Sequence, residues 1–172
     1  MVTKFVNNAL PFARVAGAKY GLNPLYILAV AAFESGWGQS KLAKTANNYF
    51  GIIATKNTNN YWFGASQKAS TGLTFRKYTN AQNSFLDFAR LIRNNYQGVA
   101  AASTIQDFAL QMSESRYIST ANGDNRLNYR KGLVKCYGLI TNTSTGLVSD
   151  DTYFTLLPLI FLGFYAYRRQ IV

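Results

Sequence analysis

The stretch "LYILAVAAF", residues 25–33, most constrains the fold of this chain, because it carries no charge and would be apolar on every side of a helix. Asn23 and Pro24 precede it, a pair typical of the cap and first position of an α-helix. A helix that is apolar all round is a buried one. The run therefore predicts a central buried helix with the domain packed around it, and Glu34 follows directly at its end.

The rest of the sequence predicts a mainly α (α+β) domain of about five helices. Apolar residues at helical spacing indicate a first helix over residues 3–20, and residues 41–45 indicate a short helical turn. Residues 49–78 are interrupted by glycines and rich in aromatic residues, which predicts a short β-hairpin or a small irregular lobe.

Cap signals indicate three later helices. Ser84 and Asp87 have the spacing of a capping box before an apolar helical pattern. Thr104, or Ser103 before it, is the expected cap of the next helix, with Asp107 in its first turn. Asn125 is the expected cap of the last helix.

The end of the chain differs from the domain, which we place at residues 1–141. Residues 142–151 are polar and rich in Ser and Thr, which predicts a linker. Residues 152–167 carry no charge and would form a helix about 24 Å long, against a bilayer core about 30 Å thick. Because a basic pair closes the run, we predict a hydrophobic helix at residues 152–172 that anchors the chain in a membrane. A buried core helix and a C-terminal sorting signal are the alternatives.

Composition limits the chemistry that the chain can perform. There is no histidine and one cysteine, Cys136, which excludes His-based nucleophile systems, His-ligated metals and an internal disulfide. We expect Cys136 to be a core residue, and we expect no metal and no cofactor. Lys and Arg total 18 against 7 acids. This excess favours an anionic partner, and since no nucleic-acid motif accompanies it, we expect a membrane surface or wall polymer and not nucleic acid.

Glu34 is the strongest candidate for acid–base chemistry. A carboxyl at the end of an apolar helix is partly desolvated, which is expected to raise its pKa and keep its proton on at neutral pH. Gly36 and Gly38 allow a sharp backbone turn beside it, and Trp37 offers an aromatic wall for a sugar ring. The alternative is a glutamate that faces solvent at the end of a helix.

Four segments carry a more specific pattern. "AAFESGWGQSKLAKTANNYFGI" surrounds Glu34, and the residues before it, with "TFRKYTNAQNSFLDFARLI" and "SESRYISTANGDNRLNYRKGLVKCYGL", extend the pattern over residues 3–140. Together they resemble the glucosaminidases of glycoside hydrolase family 73, which are peptidoglycan hydrolases of the lysozyme-like superfamily. The resemblance implies a lysozyme-like helical domain with a small β-hairpin lobe.

The resemblance also implies roles for individual residues. Glu34 matches the catalytic acid that protonates the glycosidic oxygen, and Tyr117 matches a tyrosine that supports the reaction. Asn48, Phe50 and Gly51 match the turn that shapes the cleft below the acid.

Three aromatic residues are weaker candidates for substrate binding. Trp37 and Tyr49 match positions near the acid, where an aromatic side chain can equally belong to the core. Trp62, with Phe63 beside it, would either line the glycan groove or pack the lobe.

The chain departs from the family pattern in the lobe. Many members carry a second acid there, but residues 50–78 of this chain contain no Asp or Glu. We therefore predict a single-acid mechanism, in which the 2-acetamido group of the substrate is the nucleophile or Tyr117 holds a water. The other acids before the tail are Asp87, which we expect to act as a cap, and Asp107, Glu114 and Asp124.

The implied function is that of an endo-β-N-acetylglucosaminidase that cleaves the β-1,4 bond between N-acetylglucosamine and N-acetylmuramic acid in peptidoglycan strands. The alternatives are a muramidase or lytic transglycosylase, and a catalytically inactive, membrane-anchored wall-binding module. The tail predicts that the domain is held at a membrane facing the wall, in a bacterial envelope or a phage virion membrane. The sequence sets no oligomeric state.

Overall fold

The computed structural model describes residues 1–70, 72–118 and 125–144. This part of the chain holds seven helices and one two-stranded sheet. In chain order the elements are α1 Val2–Tyr20, α2 Pro24–Ser35, α3 Lys41–Ala46, β1 Ser66–Lys68, β2 Thr74–Arg76, α4 Ala81–Asn95, α5 Gln97–Ala101, α6 Ile105–Glu114 and α7 Arg126–Ser144. The mainly helical class with a small β element is confirmed, and two short helices, α3 and α5, bring the number above the expected five.

Helix α2 is the centre of the domain, as the sequence predicts. The Oδ1 atom of Asn23 accepts a hydrogen bond from the amide of Leu25 at 2.9 Å, and Pro24 occupies the first helical position. Nearly every residue of α2 is buried. Helices α1 and α7 both pack against it.

Helix α1 is closed by Gly21, which adopts the left-handed conformation with φ 63°. Helix α4 packs along α1, and Arg93 of α4 donates to the carbonyl oxygens of Tyr20 and Gly21, both at 2.7 Å. The end of α1 is therefore capped twice, by a glycine and by a guanidinium.

The predicted β-hairpin is present but short. Strands β1 and β2 are antiparallel, with Gln67 opposite Phe75, and Ile53 forms an isolated bridge to Phe75. Phe75 packs on Leu42 and Ala46 of α3, which gives the lobe a small core of its own.

The predicted capping box at Ser84 is wrong. The cap of helix α4 lies four residues earlier, at Asn80, whose side chain accepts from the amide of Asn83 at 2.9 Å. Ser84 and Asp87 are both fully buried inside the helix. The caps at Thr104 and Asn125 are confirmed, because the side-chain oxygens accept from the amides of Asp107 and Asn128.

Helix α7 continues to Ser144, three residues into the stretch predicted as a linker. The hydrophobic helix predicted at residues 152–172 lies outside the described residues. Within the part of the chain that the structure describes, no helix combines the length and apolar character needed to cross a bilayer.

Candidate active site

Glu34 is the last residue but one of α2, and its side chain is half-buried. Directly after the helix, Gly36, Trp37 and Gly38 are all left-handed, with φ of 58°, 57° and 76°. Such a conformation costs a residue with a side chain about 1–3 kcal/mol, so Trp37 must be held there by its surroundings. The backbone therefore turns away sharply and leaves Glu34 at the rim of the helical core.

Hydrogen bonds within the turn hold this conformation. The Ser35 hydroxyl donates to the carbonyl of Ala31 at 2.5 Å and accepts from the amide of Gly38 at 2.8 Å. The amide of Trp37 donates to the carbonyl of Ala32 at 2.8 Å. Because these groups are tied to the buried helix, the position of the Glu34 backbone is fixed.

Tyr129 of α7 supplies a partner for the Glu34 carboxyl. Its hydroxyl donates to Oε1 of Glu34 at 3.1 Å, and its ring meets Phe33 edge-on at 5.2 Å. Tyr129 is fully buried. A buried phenol so close to a carboxyl can orient it and stabilise its anion.

A glycine brings α7 close enough to α2 for this contact. A Cβ atom placed on Gly132 would lie 2.1 Å from Cε2 of Phe33, so only a hydrogen at this position permits the observed approach. Gly132 lies one helical turn beyond Tyr129. The same close packing therefore sets the distance from the tyrosine to the acid.

Sequence reasoning missed Tyr129, although a signal was present. Tyr129, Leu133, Cys136 and Ile140 follow helical spacing and form the buried face of α7. A tyrosine on a buried face needs a hydrogen-bond partner for its hydroxyl. The partner could not be read from the sequence, because it lies 95 residues away.

Tyr117 occupies a different place from Tyr129. It is buried, and its hydroxyl donates to the carbonyl oxygen of Phe50 at 2.9 Å. Its ring packs edge-on against Phe88 and Tyr96. The tyrosine thus supports the turn at residues 48–52 from within the core, and its role in the reaction stays a prediction.

Asn48 organises that turn. Its Nδ2 donates to the carbonyls of Ile52 and Arg76, both at 2.9 Å, and its Oδ1 accepts from the amide of Ile52 at 3.1 Å. Gly51 is left-handed with φ 61°, and Phe50 stacks on Phe88 at 4.2 Å. The three residues predicted to shape the cleft therefore form one rigid turn that joins the lobe to the helices.

Sequence comparison gives the family of the chain. The model of the family described as "Glucosaminidase: Mannosyl-glycoprotein endo-beta-N-acetylglucosaminidase" matches residues 10–153. The chain belongs to the glucosaminidase family. The relationship predicted from the four sequence segments is thus confirmed.

Curated relatives of this chain include the peptidoglycan hydrolase FlgJ of Vibrio parahaemolyticus, 34% identical over 53% of this chain and 33% of that protein. The FlgJ of Pseudomonas aeruginosa is 29% identical over 66% of this chain and 32% of that protein. The exo-glucosaminidase LytG of Bacillus subtilis is 26% identical over 66% of this chain and 44% of that protein. The chain spans about a third of the length of the FlgJ relatives.

Solved structures share the fold of this chain. The glycoside hydrolase domain of Salmonella typhimurium FlgJ matches with a TM-score of 0.67 and 24% identity, over 86% of this chain and 92% of that one. The catalytic domain of the autolysin Auto from Listeria monocytogenes matches with a TM-score of 0.58 and 26% identity, over 81% and 86%. These matches support the lysozyme-like architecture with a small lobe.

Trp37, which was expected to offer an aromatic wall beside Glu34, is buried. The indole is 4% exposed and meets Phe5 edge-on at 5.6 Å, so it lies in the core and presents no broad face to a sugar. Tyr49, beside the same Phe5, is half-buried and packs on Phe85 at 5.5 Å. Burial raises the pKa of the Tyr49 phenol above its ordinary value.

Trp62 is packed within the lobe. It is 2% exposed, its Nε1 donates to the carbonyl of Ala65 at 2.5 Å, and the Arg76 guanidinium lies 4.7 Å from its ring centre. Its neighbour Phe63 points outward and is 66% exposed. Of the two interpretations of this aromatic pair, packing therefore applies to Trp62, while Phe63 is available for contact.

The other acids of the described chain have partners of their own. Asp87 pairs with Arg76 and Arg90, at 2.6 and 2.9 Å, and is a buried ion-pair centre and not the expected cap. Glu114 pairs with Arg130 at 2.9 Å. Asp107 accepts from Gln111, and Asp124 lies outside the described residues. Among the residues that the structure describes, no cluster of three potential metal ligands occurs.

Proposed function

We propose that this domain hydrolyses the β-1,4 glycan backbone of peptidoglycan as an endo-β-N-acetylglucosaminidase, with Glu34 as the general acid. The observation that carries the proposal is the half-buried carboxyl at the end of the apolar helix α2, with the Tyr129 hydroxyl 3.1 Å from Oε1. Membership of the glucosaminidase family supports the substrate class.

In the proposed step, protonated Glu34 gives its proton to the glycosidic oxygen while the bond from that oxygen to the anomeric carbon breaks. The leaving sugar departs as an alcohol, and Glu34 becomes a carboxylate. Because Tyr129 donates to Oε1, the reactive proton is favoured on Oε2, and the same hydrogen bond stabilises the carboxylate after the transfer. Tyr129 thus orients the acid and balances its charge.

We propose that the nucleophile is not a carboxylate of the protein. The lobe sequence offers no acid, and Asp87 is held between two guanidiniums. We therefore favour attack by the 2-acetamido group of the substrate, or by a water, on the anomeric carbon. Proton NMR of the first product separates the two, because a neighbouring acetamido group retains the anomeric configuration and direct attack by water inverts it.

The bond that is cut can be determined by digesting purified peptidoglycan and analysing the fragments by mass spectrometry. We expect reducing-end N-acetylglucosamine. A reducing N-acetylmuramic acid would indicate a muramidase, and an anhydro-muramic end a lytic transglycosylase. Failure to release any fragment would contradict the proposal and favour the alternative of an inactive wall-binding module.

The residues needed for cleavage can be tested in the same digestion. Glu34→Gln is expected to abolish the products, since it keeps the shape of the side chain but cannot donate an acidic proton. Asp107→Asn is the matched control, because Asp107 also lies on a helix and its nearest described partner is a neutral glutamine. Retention of activity in Glu34→Gln would contradict the assignment of the acid.

We also propose that residues 152–172 hold the domain at a membrane, facing the wall. The support is the sequence alone: an uncharged run followed by Arg168 and Arg169. Membrane flotation of the full chain should place it with the lipid, and Ile160→Arg combined with Phe164→Arg should release it. Equal flotation of both proteins would contradict the anchor.

A further inference from the structure

We propose that Arg126 and Arg130 form, with Ser113 and Glu114, a clamp that positions Tyr129 against Glu34. These four residues lie outside the site itself and act through Tyr129, so they are positioning residues. The inference rests on the proposed function, in which Tyr129 and Glu34 work together. We call the four residues the arginine clamp.

The clamp arginines flank Tyr129 on α7. Arg126 lies three residues before it and Arg130 directly after it. The Nη1 atom of Arg126 donates to the carbonyl oxygen of Ser113 and lies 3.6 Å from Oε2 of Glu114. The first turn of α7 is therefore tied to the end of α6.

Arg130 contacts the same end of α6 with two of its nitrogen atoms. Its Nε and Nη2 atoms donate to the Ser113 hydroxyl at 3.3 and 3.1 Å, and Nη2 also donates to Oε1 of Glu114 at 2.9 Å. Ser113 is itself fully buried, and its hydroxyl donates to the carbonyl of Leu110 at 2.8 Å. A planar guanidinium held at several points fixes direction as well as distance.

The position of the clamp at the C-terminal end of α6 strengthens its contacts. Ser113 and Glu114 are the last residues of α6, where the helix dipole and the terminal carbonyls favour a positive charge. The Glu114 side chain is 56% exposed, and an exposed ion pair alone contributes little. The contacts to the buried serine therefore matter most, and Glu114 orients the two guanidiniums around it.

The hydrogen bond between Tyr129 and Glu34 depends on the position of α7, which the clamp helps to fix. The hydrogen bond from the Tyr129 hydroxyl to Glu34 is 3.1 Å long, slightly beyond the usual range of about 2.5–3.0 Å for O–H···O hydrogen bonds. Gly132 packs α7 against Phe33 of α2, and the clamp ties α7 to the end of α6. If the first turn of α7 shifts by about 1 Å, this hydrogen bond is lost and the acid is misoriented.

A double-mutant cycle tests the clamp in the full chain. Arg130→Ala and Glu114→Gln are each made alone and together with Tyr129→Phe, and kcat and KM are measured on purified peptidoglycan. We expect Arg130→Ala to lower kcat by about three- to tenfold with little change in KM. Glu114→Gln, which weakens only the exposed ion pair, should lower kcat by less. With Tyr129→Phe present, the same changes should have no further effect, since the clamp then has no hydroxyl to position.

Arg93→Ala is the matched control. Arg93 also binds the carbonyls of a helix end, at Tyr20 and Gly21, but it lies at the far end of α1. It should lower stability without lowering kcat of the folded protein. Arg130→Lys, which keeps the charge but not the planar fork, should recover part of the lost kcat.

Three results would overturn the clamp: an equal loss with and without Tyr129→Phe, a loss in Arg93→Ala as large as that in Arg130→Ala, or no loss at all. A loss in Glu114→Gln as deep as in Glu34→Gln would instead make Glu114 a catalytic carboxylate. If Arg130→Ala does not fold, Arg130→Lys decides, because it keeps the charge and still removes the planar fork that contacts Ser113.

Hydrogen exchange separates failure of the clamp from failure of the proposed function. The clamp predicts faster amide exchange in the first turn of α7 in Arg130→Ala than in the wild type, whether or not the domain cuts peptidoglycan. Unchanged exchange there contradicts the clamp. Loss of the expected wall fragments from the wild type contradicts the proposed function alone.

Discussion

Two carboxylates of this chain, Asp87 and Glu34, lie in very different environments. Asp87 is fully buried and accepts from Arg76, Arg90 and other donors, so its charge is balanced by two guanidiniums. Glu34 is half-buried at the end of an apolar helix and accepts a hydrogen bond from the uncharged hydroxyl of Tyr129. The first arrangement suits a structural anion, and the second suits a group that must hold and release a proton.

The Asp87 centre also explains how the lobe is attached. Arg76 comes from strand β2, Tyr78 donates to Oδ2 at 2.8 Å, and Asn59 donates to Oδ1 at 3.1 Å. All three belong to the lobe region, whereas Asp87 and Arg90 belong to α4. One buried acid therefore fastens the lobe to the helical body, and the lobe can lack acids of its own.

The largest effect on stability is expected from Asp87→Asn. The change leaves Arg76 buried without its anion, and breaking a buried ion pair costs about 3–5 kcal/mol in unfolding free energy. Chemical denaturation measures this loss. Activity should fall only in proportion to the unfolded fraction.

Asp107→Asn provides the comparison, with a change within about 0.5 kcal/mol, as is usual for surface positions. If Asp87→Asn remained stable but lost its rate of cleavage, Asp87 would belong to the reaction, and the contrast with Glu34 would fail.

Two tyrosine variants sharpen the contrast between catalysis and structure. Tyr129→Phe should lower kcat by about 10–100-fold, because general-acid catalysis depends on the orientation of the donor. Tyr117→Phe should instead lower stability by about 1–3 kcal/mol, since the buried carbonyl of Phe50 loses its donor.

Kinetics and denaturation on both variants separate the roles. The opposite pattern, with kcat lost in Tyr117→Phe and kept in Tyr129→Phe, would restore Tyr117 as the tyrosine that supports the reaction.

A smaller effect is expected at alkaline pH. Burial, with the charge of Asp87 next, raises the pKa of Tyr78 well above its usual value, and burial raises the pKa of Cys136 to about 12. The folded protein keeps these protons while the unfolded chain releases them above about pH 9–10, so stability should fall as pH rises through that range. Melting temperatures from pH 8 to pH 11 (about three units) measure the slope.

Tyr78→Phe and Cys136→Ala should each flatten that slope. An unchanged slope in both variants would show that other groups control alkaline stability.

Local signals in the sequence predicted local structure well. The caps at Asn23, Thr104 and Asn125 each depend on residues two or three positions away, so they could be predicted from the local sequence. The cap at Asn80 was missed because Ser84 and Asp87 imitate a capping box. Which signal applies depends on burial, and burial is a property of the whole fold.

Long-range contacts at the site could not be predicted in the same way. Glu34 stood out because its helix is apolar, but its partner Tyr129 is distant in sequence. Trp37 and Trp62 are suited to bind sugars, yet both rings are buried. An aromatic residue is equally suited to the core, and only packing decides between the two.

That one carboxylate carries the acid chemistry can be checked by measuring the clearing rate of purified cell walls for conservative variants of the five acids before the tail. The rate of Glu34→Gln should fall by about 10²–10⁴-fold, while Asp124→Asn, Asp107→Asn and folded Asp87→Asn stay near the wild type and Glu114→Gln loses less than about tenfold. A fall in any of these four as deep as that of Glu34→Gln would contradict the single-acid mechanism.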